Sequence, residues 1–474
     1  MHKVLKLIKV KYFALGLLTM SPIAYSQNAP YKLTYEYDAQ GNITKIIDGL
    51  GNVTDQTYDQ LNRPVIQAGP EIKVGAGRTT VVFNYDLLDQ VSSIKDARGI
   101  TTTYITDGIG TSPNTASSDS GSIVSTHDVL GNLLSRTDAK GQTTSYSYDK
   151  INRLTRIVYS DNSETLLTYD TGIGGVGKIT QLSDPNEVIR YQYNLEGDIL
   201  SEAHIRNGIE YITSYEYNNA GEMISLKYPG GRLVILRRDQ NGRINQVESV
   251  ANGNSVVLIK DVIYFPFGDV KSFINGAGIL VSRTMDLSGR ISGYTLSSST
   301  HSLVRDAAAR IIGITDSGDA LLNQSFEYNG LGQLTKNIGP KDTQQINYDF
   351  AGNRTSKKLG LFSAPITYEA NSNKILQVWG GKINRYQFDA NGNTVSNGDA
   401  NFTYDARNRM INAKKGDLNV NYRINALGQR IEKISNGIVT SFHYDNSGKL
   451  ISESLGTLKK DYIYLGDVPI AIIQ

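Results

Sequence analysis

Polar and apolar positions alternate along this chain, and one short turn keeps punctuating the alternation. Residues 35–46 read YEYDAQGNITKI. Tyr35 and Tyr37, two apart, fall on one face of a strand. Asp38-x-x-Gly41 then has the chemistry of a type I turn: the aspartate caps it from the first position, and the glycine accepts the positive φ that ends it. A second strand follows, opened by Asn, Arg or Gln and then an apolar residue, as in GNITKII, GNLLSRT, GQLTKNI and GQRIEKI, or by Lys in GKLISES. Each unit predicts a β-hairpin. No long stretch beyond residue 26 has helical apolar spacing.

The phrase returns as YSYDKINRLTRI (146–157), INYDFAGNRTSK (346–357) and YQFDANGNTVSN (386–397). Aligned on the residue after the second aromatic, Asp107, Asp128, Asp149 and Asp170 lie 21 apart, as do Asp38 and Asp59. Asp349, Glu369 and Asp389 lie 20 apart, as do Asp405, Asn425 and Asp445; between Asp170 and Asn218 the step stretches to 24. A fixed period of this size marks an array in which each unit buries its apolar face on its neighbours. Hairpins joined side by side make a long antiparallel sheet whose open edges would aggregate. The sheet is therefore expected to curl, close or be covered by a partner. Residues 98–122, rich in Ser, Thr and Gly, fit least well and predict a looser strand pair or an exposed loop. Two architectures compete. Two units make four strands, close to a propeller blade of about 40–45 residues, but the Gly-His…Trp-Asp signature is missing and Trp379 is the only tryptophan. The other is a continuous spiralling sheet.

Composition sharpens this. Tyrosine numbers 29 against 11 phenylalanines, and 46 glycines favour turns. Lys3, Lys6, Lys9 and Lys11 precede the apolar run YFALGLLTM and then SPIAYS, with Ala24 and Ser26 where a signal peptidase reads. That layout predicts a secretory signal peptide at 1–26 and a repeat array at 27–474. A short membrane anchor is the other reading, but the run is short for a span of about 20 residues. No later segment is apolar enough to cross a bilayer, so no membrane span is expected once the leader is cleaved. Cleavage leaves 44 basic against 46 acidic residues. The basic pairs Arg237-Arg238 and Lys459-Lys460 stand alone, which argues against nucleic acid as a partner. The chain has no cysteine, hence no disulfide, no thiolate nucleophile and no cysteine metal site. Stability must come from burial and hydrogen bonding.

Several motifs invite chemistry, and each has a plainer reading. In GIGGVGKI (172–179), Gly172, Gly177 and Lys178 approach a phosphate loop, but Ile179 stands where the metal-binding hydroxyl belongs, and the strand-like KITQLSDP follows instead of a helix. The glycines sit where the repeat expects its turn. Asp38, Asp149, Asp349, Asp389, Asp405 and Asp445 are read as turn caps, because catalytic carboxylates would have to converge in one cleft. His127, His204, His301 and His443 lie far apart with no H-x-x-x-H spacing, which argues against a zinc site. A G-x-S-x-G elbow is missing. The Tyr-x-Tyr pairs could stack on sugars, but packing between hairpins is the favoured reading. No catalytic, metal or cofactor residue is assigned.

The units YEYDAQGNITKI, YSYDKINRLTRI, FEYNGLGQLTKN, YDFAGNRTSKK and FHYDNSGKLISES resemble YD repeats of the RHS-repeat family, and the resemblance runs from about Tyr31 to Ile473. It implies an all-β fold in which tandem hairpins form a continuous spiralling antiparallel sheet, a partial or open shell. In that family the shell encloses a toxic C-terminal polypeptide in bacterial polymorphic toxins and in the B and C components of insecticidal Tc toxins. Teneurins use a similar shell in cell adhesion. The implied function is that of an exported, non-enzymatic shell or shell fragment, with toxin cargo or a second, shell-completing chain as partner. The alternative is a cell-surface adhesion or carbohydrate-binding protein with a glycan partner. The ending DYIYLGDVPIAIIQ resembles the last repeat before the family's core-associated segment, which carries an Asp-Pro-x-Gly motif and self-cleavage aspartates. The only Asp-Pro here is Asp184-Pro185, inside the array and followed by Asn186. Self-cleavage is therefore not expected, and the chain reads as a truncated member or one piece of a shell completed in trans.

Overall fold

The hairpin turns follow from their residues. In a computed structural model that describes residues 31–72, 75, 77–106 and 114–474, the Asp38 N–H donates to the Asn42 carbonyl (3.0 Å) and the Gly41 N–H to the Asp38 carbonyl (3.2 Å). Gly41 has φ +86°, so a β-carbon there would be strained. Asp38 Oδ1 accepts from the N–H groups of Gln40 (3.0 Å) and Asn42 (2.8 Å), which satisfies two turn donors at once. Asn62, Asn152 and Asn408 replace the glycine at φ 57–61°, a conformation asparagine tolerates. The expected caps Asp149, Asp349, Asp389, Asp405 and Asp445 accept the same pair of backbone N–H groups. The leader 1–26 and Asp107 lie outside the described residues.

Among the described residues the chain forms 43 strands, numbered in chain order from β1 (Thr34–Tyr37) to β43 (Val468–Ile473). Consecutive strands pair antiparallel throughout, apart from one interruption at Tyr386 between β33 (Lys382–Arg385) and β34 (Gln387–Phe388). There the Tyr386 N–H still donates to the Leu376 carbonyl at 3.0 Å. The sheet is open and does not close into a barrel, and the propeller alternative is set aside. Within residues 98–122 the described residues include a strand pair, β7 (Thr101–Ile105) on β8 (Asn114–Ser117); 107–113 lie outside the described residues. No described helix is long and apolar enough to cross a membrane.

Each period carries two turns, one at each edge of the sheet. The YD edge holds Asp38–Asn42 and its repeats. The return edge begins with turns of the same geometry, Asp48–Asn52 and Asp138–Gln142. Some later return turns are Asn-Gly pairs with both φ positive, at 207–208, 252–253 and 436–437, the mirror-image turns that match strand twist.

A bulge explains the second tyrosine. The register shifts beside each YD turn that lies wholly within the described residues; Ile43 pairs with Tyr37, but Lys45 pairs with Glu36. The carbonyl of the residue just before the extra one is then bound from the next repeat: Tyr58 Oη donates to Ile43 O at 2.8 Å, and Tyr148 Oη donates to Leu133 O at 3.0 Å. Thirteen tyrosines among the described residues make this bond, so it belongs to the repeat itself. The residue after the turn glycine adds a second lateral link. Asn42 Nδ2 donates to Asp38 Oδ2 (2.9 Å) and also to Asn62 Oδ1 in the next turn (2.9 Å). Arg153 does the same between Asp149 and Asp170, and its guanidinium lies 4.3 Å over the Tyr169 ring.

The ribbon is long enough to wind past itself. The return edge of the first coil lies against the YD edge of the second, joining residues 223–277 apart in sequence. Asn373 Nδ2 donates to Asp96 Oδ2 (2.8 Å), Asn186 Nδ2 to Ile424 O (2.9 Å) and Tyr228 Oη to Tyr462 O (2.9 Å), and Arg232 Nε pairs with the Asp461 carboxylate (2.6 Å). Backbones meet closely in this seam: a β-carbon on Gly49 would run into the Ala307 carbonyl. Apolar burial is concentrated where the last strands join it. Ile451, Ile463 and Leu465 pack in one cluster with Val234, Val247, Ile259, Val262, Val270 and Phe273.

Candidate functional site: an ionisable cluster buried in the seam

The densest chemistry lies between the two coils. In β16 (Ile199–Arg206), Glu202, His204 and Arg206 occupy alternate positions, so the period of two places all three on one face, and all three are buried. Glu187 enters from the residue before β15 (Val188–Tyr193), the neighbouring strand. Thr213 and Tyr215 come from β17 (Ile209–Tyr217) on the other side, with Thr213 opposite Glu202 and Tyr211 opposite His204. The second coil contributes Asn425, and His443 from β40 (Ile438–Tyr444).

Charge is matched within the cluster. Arg206 Nε donates to Glu187 Oε1 at 2.5 Å, and its two terminal nitrogens donate to the carbonyls of Ile431 (3.2 Å) and Phe442 (3.0 Å) across the seam. Asn425 Nδ2 donates to Glu187 Oε2 at 2.6 Å. His204 sits between two carboxylates, Nδ1 3.1 Å from Glu187 and Nε2 3.6 Å from Glu202, close enough to pair but with neither nitrogen aligned for a hydrogen bond. Tyr215 Oη donates to Glu202 and accepts the Asn446 N–H of the second coil at 2.9 Å. Burial pulls the His204 pKa down, and Glu187 and Glu202 more than reverse it, to about 9. Burial likewise raises the Glu187 carboxyl, but His204, Arg206 and Asn425 hold it below its ordinary value. Burial and the nearby Arg206 and His204 charges push His443 down to about 3, so it stays neutral while its ring lies tilted against Tyr211, 4.6 Å between centroids. Burial, with Glu202 beside it, raises the Tyr215 hydroxyl. Two buried acids facing two buried cations make a network that is stable only while complete. Its chemistry is that of a charge-matched clasp joining the coils.

The sequence separated His204 from His443 by more than two hundred residues, and the seam brings them into one cluster. His127 and His301 stay outside it; His301 pairs with Asp316 at 2.9 Å. Glu187, Glu202 and Arg206 were missed as a group, although the alternating charges of Glu202-Ala-His204-Ile-Arg206 inside a strand were visible. Among the described residues, no group of three His, Cys, Asp or Glu could hold a metal ion. In the GIGGVGKI loop, strand β14 (Ile179–Ser183) follows directly; Lys178 Nζ donates to the Gly197 carbonyl (2.8 Å), and the Gly177 N–H donates to Asp170 (2.6 Å). Two surface depressions, of about 240 and 470 Å³, lie elsewhere, near Pro340 and Tyr348.

Comparison with known proteins agrees with this architecture. The profile of the teneurin YD-shell matches residues 76–255 and 270–464, and that of the RHS repeat matches 34–70. The tRNA nuclease WapA of Bacillus subtilis (strain 168) is 28% identical over 144 residues, covering 29% of this chain and 6% of that protein. A tRNA3(Ser)-specific nuclease WapA of Bacillus spizizenii matches over the same extent. Among solved structures, a Tc holotoxin pore of Photorhabdus luminescens superimposes with a TM-score of 0.74 at 15% identity, over 92% of this chain and 27% of that one. A TcdB2-TccC3 complex gives a TM-score of 0.68 at 17% identity, over 92% and 28%. The chain thus spans a small part of the curated relatives' length and about a quarter of the solved chains.

Proposed function

The chain belongs to the teneurin YD-shell family, and from that premise we propose that it is a wall: an exported, non-enzymatic shell or shell fragment that sequesters a polypeptide cargo. The observation that carries this reading is the seam. A ribbon that winds past itself and joins its first return edge to its second YD edge is a continuous wall, and the strands between one seam contact and the next set its girth. From the turn at Gly49 to the turn at Ala307 the chain runs through β3 (Val53–Tyr58) to β25 (Ser299–Arg305), which is 23 strands. At about 4.8 Å per strand the coil is about 110 Å around and about 35 Å across, room for an extended or partly folded chain. Sequestration needs no catalytic group. It works by keeping a sticky or toxic polypeptide away from solvent until the wall opens.

The test is to purify the mature protein from its native host and digest it with protease, before and after unfolding the wall. A stoichiometric polypeptide that resists protease until the wall unfolds is the expected result. A cargo-free, monodisperse and fully stable chain would count against sequestration.

A further inference from the structure

Turns on the YD edge differ between the two coils. Where a turn lies in the seam, its second residue is mostly small: Ala307, Gly330, Ala370, Ala390, Ala406 and Ala426, with Phe350 beside the Arg98–Asp349 pair and Asn446 against Tyr215 as exceptions. This is where backbones approach closely, as at Gly49 against Ala307 and Gly330 against the Glu71 carbonyl. On the first coil the YD edge has no coil above it, and most turns carry large apolar residues pointing into solvent, the Asp38, Asn218 and Asp239 turns being small or polar. Leu87 is 103% exposed, Val129 96%, Val176 82% and Leu195 81%, with Leu61 and Ile151 also exposed. A row of this kind marks an interaction surface.

We propose that this rim docks the return edge of a second copy of the chain, head to tail. The internal seam already joins those two kinds of edge in that polarity, and the free rims at the two ends of the ribbon are one of each. The return rim of the second coil, polar at most of its turns, carries exposed apolar residues beside two tight ones, Leu361 (100%) and Leu458 (70%). The rim climbs by about one strand length, roughly 20 Å, per coil. A flat partner would touch only part of it, whereas an edge with the same climb follows it throughout. The net charge, +2 for the whole sequence and 44 minus 46, or −2, without residues 1–26, puts little repulsion between copies. Large tips hold the second backbone further away than alanine does, so this contact is made by side chains and is reversible. It is heterologous and can extend beyond two copies. The inference stands apart from cargo enclosure and needs no cargo.

Sedimentation velocity over a wide range of concentration tests it, on the purified chain and two variant forms. One form carries Leu87→Asp and Val129→Asp on the YD rim; the other carries Leu361→Asp and Leu458→Asp on the return rim. All four side chains are exposed, and circular dichroism checks that both variants fold. The wild-type chain is expected to associate as concentration rises, and each variant alone to stay monomeric. An equimolar mixture of the two variants is expected to recover a dimer that grows no further, because each supplies the rim the other lacks. A wild-type chain that is monomeric throughout would overturn the proposal. So would loss of association on the YD rim alone with no recovery on mixing, which would mean rim-to-rim pairing. Capture of the monomer by neutral lipid vesicles, abolished by the YD-rim changes, would assign the rim to a membrane instead.

Discussion

Tyr169 Oη donates to the carbonyl of Leu154 at 2.8 Å, reaching back one repeat to the residue that precedes the bulge's unpaired Thr155. Tyr169→Phe keeps the ring and its contact with Arg153 but leaves that carbonyl unpaired. A loss of about 1 kcal/mol in urea unfolding is expected, with the fold unchanged. An unaltered midpoint would mean that water replaces the hydroxyl at no cost.

Glu187 is the acid that both Arg206 and His204 face. Glu187→Ala leaves two cations buried without their partner, and such losses cost about 3–5 kcal/mol. Hydrogen exchange should localise the damage to β15–β17 and to the 425–443 region of the second coil together. Damage confined to the first coil would show that the cluster does not join the two.

Seam packing can be tested without touching charge. Ala307→Leu places a large side chain where Gly49 meets that backbone, and overpacking of this kind costs about 1–3 kcal/mol. The matching change at a free turn, Val129→Leu, should cost nothing measurable. Equal effects at the two positions would remove the distinction between covered and free turns.

The two buried histidines give the pH profile two limbs. Burial and Arg206 hold His443 neutral to about 3, whereas an unfolded histidine titrates near 6.5. Between those values the unfolded chain binds the extra proton, so stability falls as the pH drops. His204, with its pKa raised to about 9, acts the other way: the folded chain holds the extra proton between 6.5 and 9, and that stability is lost as the pH rises through this window. These two groups place the stability maximum near 6.5. Urea midpoints across the range should fall on both sides, with His204→Gln flattening the alkaline limb and His443→Gln the upper part of the acid limb. A profile with one limb only would mean that one of the two histidines titrates as in the unfolded chain.

Local chemistry was legible in the sequence because it is written within a few residues. Asp38 and Gly41 announce their turn, and Tyr35 and Tyr37 announce a strand face. The lateral links were half visible. Asn42 and Arg153 could be seen to recur after the turn, but their reach to Asn62 and Asp170 depends on where the next hairpin lies. The seam was hidden, since nothing near Arg206 points to Phe442, 236 residues away. The contrast between Asp306-Ala307 and Asp128-Val129 was on the page from the start, yet it has meaning only once one turn is known to be covered and the other open.

That separation has a consequence for how the molecule comes into being. Hairpins close over ten or so residues and can form as the chain emerges, whereas the seam waits for a partner edge more than two hundred residues downstream. A chain made or exported from its N-terminus therefore shows its whole first return edge, Asp96 and Arg206 included, to the surroundings before the second coil arrives to cover it. During that interval the half-made ribbon is an adhesive strip, and the cell must either deliver the rest quickly or shield it.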